Sequence, residues 1–166
     1  VDSDDYLHEG HFKRAVETIL ASQSEIYFSS YVNDVHRSRM IRKASSNISL
    51  FKLLTYNPIG TSSVVLLADL KPKFENIIVR NDLLLWCQLY SARHKFVSRP
   101  EVGFERNIHR LGISYKKVAL VGIHYSIYRD KLKLSFGQAI FYVTVLCLRH
   151  SFMLVVCQIK KVFFRR

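Results

Sequence analysis

The sequence predicts a single α+β domain: an N-terminal helix, a mixed or antiparallel sheet with two further helices, and C-terminal antiparallel strands. Three observations point there. The 166 residues fit one ordinary domain, read here as residues 1–166 with 1–8 a flexible N-terminal segment. A content of 49% hydrophobic and 13% aromatic residues, with only 6 Gly and 3 Pro, supports a packed core and excludes disordered, collagenous and low-complexity chains. Apolar residues recur with helical period near the N-terminus and in short strand-like runs further on.

Residues 9–22 form an amphipathic helix on this reading, with Phe12, Ala15, Val16, Ile19 and Leu20 on one core-facing side. Residues 25–32 are rich in aromatic and β-branched side chains and read as a strand. Asn33-Asp34 then supplies a turn or cap before a short exposed helix over the basic stretch 35–43. The apolar runs 48–56 and 63–70 flank Asn57-Pro58-Ile59-Gly60, whose turn chemistry predicts a β-hairpin. Lys71-Pro72-Lys73 closes it, and 74–94 reads mainly as helix, with a later start at Asn81-Asp82 as the alternative.

Ser98-Arg99-Pro100-Glu101 has capping-box spacing, and Phe104, Ile108 and Leu111 follow at i, i+4 and i+7, so a helix is expected over 99–111, stopped by Gly112. Residues 117–128 and 132–146 read as strands around Arg129-Asp130-Lys131, and 152–164 as a third, giving an antiparallel meander. A membrane helix over 136–159 is the competing reading. Arg149 and His150 argue against it: a central Arg costs about 2.5–3.5 kcal/mol even on insertion scales. The apolar run Ala139 to Leu148 is also only half the roughly 20 residues a span needs.

Charge is the most informative property. Residues 1–82 hold 10 Lys and Arg against 10 Asp and Glu, whereas 83–166 hold 15 against 3, so the whole net charge of +12 lies in the second half. An anionic partner follows more readily than a cationic one. The densest group is Arg93, Lys95, Arg99, Arg106, Arg110, Lys116 and Lys117, interleaved with Phe96, Phe104 and Tyr115. Phosphate neutralisation needs several cations spread over a surface, with aromatics available to stack on bases. On the expected helix, Arg99, Arg106 and Arg110 turn toward one side. A second cluster, Arg37, Arg39, Arg42 and Lys43, is of the short Arg-rich kind that RNA-binding proteins use.

An enzymatic alternative rests on Val64 to Lys71, an apolar run ending in Asp69-Leu70-Lys71. Asp69 and Lys71 would project from one side of a strand. This resembles the second half of the PD-(D/E)XK nuclease motif, and the resemblance implies a carboxylate binding Mg or Mn beside a water-activating lysine. The family's upstream Pro-Asp is replaced here by Asn57-Pro58, leaving Glu17 or Asp34 as the remaining candidates for a second carboxylate. A metal phosphodiesterase lacking its principal Asp binds its metal poorly. His94-Lys95 lacks the His-x-Lys spacing of the phospholipase D superfamily, and no Gly-rich phosphate loop, zinc-peptidase helix or nucleophile elbow is present.

Cys87, Cys147 and Cys157 sit in apolar runs without zinc-site spacing and leave one thiol unpaired, which predicts a reducing, intracellular compartment. The acidic N-terminus reads as neither a signal nor a transit peptide. The expectation is thus a basic, non-catalytic nucleic-acid-binding domain, RNA first, within a larger ribonucleoprotein. It needs no cofactor, has no membrane span, and offers its apolar C-terminal segment to protein partners. The alternatives are the nuclease just described and a protein- or membrane-interaction subunit.

Overall fold

Ile26-Tyr27-Phe28-Ser29-Ser30-Tyr31-Val32 has the aromatic and β-branched content that suits a strand buried on both faces, and it forms the centre of the sheet. The computed structural model describes the backbone of residues 5–35, 38–77, 79–107 and 117–163, and side chains over 5–33, 39–77, 79–106 and 120–152. Within these residues the chain is an α+β domain of five helices and a mixed five-stranded sheet.

The order is β1 (Tyr6–Leu7), α1 (His11–Ser22), β2 (Ile26–Val35), β3 (Ser38–Arg42), α2 (Leu50–Tyr56), β4 (Val65–Leu66), α3 (Asn81–Ser91), β5 (Phe96–Asn107), α4 (Lys117–Ser126) and α5 (Phe136–Phe163). β2 runs parallel to β5 on one side, and antiparallel to β4 and then β3 on the other. β1 adds an antiparallel edge beyond β5, so the described part of the 1–8 segment is held in the sheet.

Alternation along β2 divides the core. Ile26 and Phe28 face Leu53 and Leu54 of α2, Leu83, Leu84, Trp86 and Cys87 of α3, and Tyr128 and Ala139 near α5. Tyr27 points the other way, onto Ala15 and Ile19 of α1. Only those two apolar residues of the expected α1 stripe are buried. Phe12, Val16 and Leu20 are exposed by 57%, 49% and 71%, because the contact face is centred on His11, Ala15, Thr18 and Ile19.

Several elements differ from the sequence expectation, each for a physical reason. Among its described residues, the basic stretch 35–43 is not helical. β2 continues to Val35 and β3 returns beside it, with Tyr31 opposite Arg42 and Val35 opposite Ser38. Cations on such an edge strand discourage pairing with foreign strands.

The expected hairpin over 48–70 is absent. Its first arm is α2, whose Ser49 side chain accepts from Lys52 N at 3.2 Å, and whose end is set by Asn57 with φ +38° before Pro58. Its second arm is the two-residue β4 between 3-10 turns at Thr61–Ser63 and Ala68–Leu70.

The expected helix 99–111 is instead β5 as far as Asn107. Its register against β2 jumps from Ser29 opposite Arg99 to Ser30 opposite Val102, and then to Tyr31 opposite Phe104. Pro100, Glu101 and Gly103 are absorbed in that irregularity, where a missing N–H costs no ladder bond.

The C-terminal meander is replaced by helices. α4 occupies 117–126, a π-helical turn at Ile127–Lys131 fills the expected Arg129-Asp130-Lys131 turn, and α5 runs unbroken through 148–151. Ser135 and Gln138 form a reciprocal cap: Ser135 N donates to Gln138 Oε1 at 2.9 Å, and Gln138 N donates to Ser135 Oγ at 3.3 Å. Arg149, which interrupts the apolar run, lies 4.0 Å above the Tyr56 ring and ties α5 to α2. Among the described residues, no helix is long and apolar enough to cross a membrane.

Candidate nucleic-acid interface

The basic run that begins at Arg93 does not form one helical face. β5 distributes it along its length, and the β2 positions paired with its ends, Ile26 and Asp34, are about 26 Å apart at strand rise. Three separate environments result.

At the N-terminal end, Glu25 accepts Lys95 N at 2.9 Å through one oxygen and the His94 Nδ1 hydrogen at 3.1 Å through the other. The Lys95 backbone N–H, and then His94, hold the Glu25 carboxyl below the usual carboxylate range. Arg93 and Lys95 are exposed beside it. A cavity of about 480 Å³ opens here, lined by Leu50, Tyr90, Ser91, Arg93 and His94.

Midway, Arg99 donates from Nε to Thr18 Oγ1 at 3.2 Å, which lays it along α1.

At the C-terminal end, the charges of cations from three elements act on one tyrosine. Residues paired across strands share a face, so Arg42 of β3, Phe104 of β5 and Tyr31 stand together, with Asn33 and Arg106 one step further along. Tyr31 is 8% exposed and stacks on Phe104. Burial pushes its hydroxyl up in pKa, opposed by the charges of Arg42, Arg106 and Arg80 and reinforced by Asp82. Arg80 and Asp82 belong to the start of α3, where Arg80 is the N-cap residue with φ +66°.

Among the described residues, Arg42, Arg80 and Arg106 make no ion pair and no side-chain hydrogen bond. Arg42 Nε and Arg80 Nε are buried without a partner, as is Asn33 Oδ1. Asp82 itself is engaged elsewhere, accepting from Asn57 Nδ2 at 3.3 Å and Thr61 Oγ1 at 3.4 Å.

His124 is buried in α4 rather than in the expected strand. Tyr128 Oη donates to Leu54 O at 2.5 Å, so the 3.2 Å contact with His124 requires His124 Nδ1 to carry the hydrogen. Burial, with the Arg80 charge adding to it, pushes His124 down to about 4.

Of the other expected binding residues, Arg39 is neutralised: Glu105 accepts from Arg39 and, at 3.2 Å, from His8. Lys43 is exposed just past β3. The side chains of Arg37, Arg110, Lys116 and Lys117 lie outside the described residues. Reasoning from sequence missed Arg80 and Tyr31. Nothing local marks Arg80, whose position is set by the left-handed residue that opens α3.

The nuclease arrangement is not assembled as expected. β4 ends at Leu66; Asp69 sits exposed in the Ala68–Leu70 turn and Lys71 follows with φ +42°, so the two do not project from one side of a strand. Glu17 is exposed on α1. Among the described residues, no group of three or more His, Cys, Asp and Glu side chains is placed to hold a metal ion.

No protein-family model and no curated protein sequence matches the chain.

Proposed function

We propose that this chain is a nucleic-acid-binding domain, RNA its favoured ligand, which acts by binding rather than catalysis as a subunit of a larger ribonucleoprotein. One observation carries the reading: Arg42 opposite Tyr31, Arg106 one step along the same face, and Arg80, whose charge acts on the Tyr31 hydroxyl, have no carboxylate pairing any of them among the described residues. Cations held together without counter-charge repel one another, and an anion relieves that cost. Their place at the carboxyl ends of the parallel pair β2 and β5 is where open sheets with parallel strands collect ligands. Exposed Lys43, Arg93, Lys95 and Arg99 extend the positive surface away from it. The free thiols of Cys87 and Cys147 suit a reducing, intracellular setting.

Fluorescence anisotropy with single-stranded RNA, duplex RNA and DNA over a salt series tests the proposal. Affinity is expected to fall steeply with salt, and Arg42→Gln with Arg106→Gln to reduce the slope of log K against log salt by about 2. Absent or salt-independent binding overturns it.

A protein partner on α5 is a second reading, favoured by the exposure of Phe136, Phe141, Leu148 and Phe152. A monodisperse monomer in detergent-free buffer counts against it.

A further inference from the structure

We propose that the outward face of α5 docks on the anionic surface of a lipid bilayer, its apolar side chains entering the acyl boundary and the cations of the same segment meeting the headgroups. The inference does not rest on the nucleic-acid reading, and it takes a lipid surface over a protein as the occupant of α5.

Helical spacing puts Ile140, Phe141, Thr144, Leu148, Ser151 and Phe152 within about 120° of arc, at about 100° per residue. All six are exposed, Leu148 and Phe152 each by 66% and Phe141 by 54%, and none of them carries a charge. The opposite side of the helix holds Ala139, Tyr142 and Val143, which pack into the core. Arg149 leaves the stripe to stack over Tyr56. α5 therefore lies along the body of the domain with an uncharged stripe about 18 Å long, from Ile140 to Phe152, turned to the outside.

Charge selects the occupant. Residues 131–166 hold seven Lys and Arg against no Asp or Glu, with Lys131 and Lys133 before the helix and Lys160, Lys161, Arg165 and Arg166 beyond the stripe. The acids at the approach to the helix are engaged: Glu75 accepts from Lys131 at 2.5 Å and Gln88 at 2.8 Å, and Asp130 accepts from Ser126 at 2.8 Å. An apolar stripe bracketed in sequence by cations, with no carboxylate to repel a phosphate, is complementary to anionic lipid. Among the described residues no helix is long and apolar enough to cross a membrane, so α5 lies in the plane of the surface.

Co-sedimentation of the full chain with vesicles of phosphatidylcholine, alone or with about 30% phosphatidylserine, tests the proposal. The anionic vesicles are expected to bind at least about tenfold tighter than the neutral ones, and less tightly as salt rises. The triple variant Phe141→Ser, Leu148→Ser, Phe152→Ser is expected to lose at least about tenfold in affinity for anionic vesicles, while the emission of buried Trp86 stays that of the parent. Lys160→Gln with Lys161→Gln is expected to reduce the preference for anionic over neutral vesicles by about threefold or more. No binding to anionic vesicles overturns the proposal, as does a triple variant that binds them like the parent. A double variant that keeps the full anionic preference overturns it whatever the triple variant does. Self-association in detergent-free buffer that the triple variant abolishes, without vesicle binding, also overturns it and gives the face to a second copy of the chain.

Discussion

Tyr31 stacks on Phe104 with ring centroids 5.0 Å apart and planes 20° from parallel, and Gly60 lies directly against both rings. The stack joins β2 to β5 just past the register shift and supports the floor of the cation cluster. A Cβ on Gly60 would come within 2.7 Å of Phe104 and 2.8 Å of Tyr31. Gly60→Ala is therefore expected to destabilise the fold by about 1–3 kcal/mol, because neither buried ring has room to move. Gly103→Ala is expected to cost more: its Cβ would overlap Ser29 Oγ and His11 Nδ1, two polar atoms in a buried seam. Urea denaturation ranks the two variants, and an equal or reversed ranking contradicts this packing.

Acid should weaken the fold through His124. Its folded pKa of about 4 lies below the ordinary 6.5, so the unfolded chain binds the proton more readily. The stabilisation is complete above about 6.5 and is lost as pH falls from there toward 4, to a total of about 3 kcal/mol. His11, also pushed down by burial, acts in the same direction. His124→Leu should flatten the dependence of denaturation midpoint on pH across that window. An unchanged profile would place the titration elsewhere.

Cys87 should be inert in the native state. Its side chain is fully buried, and burial, with Asp82 adding, pushes the thiol up to about 12, so almost no thiolate exists at neutral pH. Labelling with a maleimide followed by peptide mass mapping is expected to modify Cys87 only above the denaturation midpoint, and half-buried Cys147 earlier. Prompt modification of Cys87 in the folded chain contradicts the packing of α3.

Glu105 limits the positive edge of the sheet by engaging Arg39 and His8. Glu105→Gln is expected to raise RNA affinity about two- to fivefold at low ionic strength and to steepen its salt dependence. Anisotropy titrations of the variant against the parent chain decide it, and a weaker complex would mean that this ion pair organises the surface.

The elements legible in the sequence were those whose local pattern agreed with their tertiary role. α1 and α3 announced themselves by apolar repetition and by Asn81-Asp82, and β2 by its aromatic and β-branched run. β5 is not legible locally, because Ser98-x-x-Glu101 and the Phe104, Ile108, Leu111 spacing imitate a helix, whereas parallel pairing with β2 decides its state. α2 has only seven residues, too few for periodicity to separate helix from strand. α4 and α5 are rich in Val, Ile and Phe, which locally favour strands, and the start signal of α5 is only the Ser135 and Gln138 cap. Of the candidate site, Arg42 and Arg106 were visible as charge. Their common neighbour Tyr31, and the arrival of Arg80, depend on strand register and on a turn conformation that no local pattern encodes.

The parallel pairing of β2 with β5 also sets the order in which this chain can be assembled. Ile26 waits for Phe96, so 69 residues must be present and folded back before the ladder closes. The β2 and β3 hairpin, by contrast, needs only its own few residues and can form early. Until β5 arrives, one edge of β2 is an unpaired, largely apolar template. Synthesis that stalls between the two strands would leave a nascent chain with that edge open, and aggregation of truncated products is the hazard this topology carries.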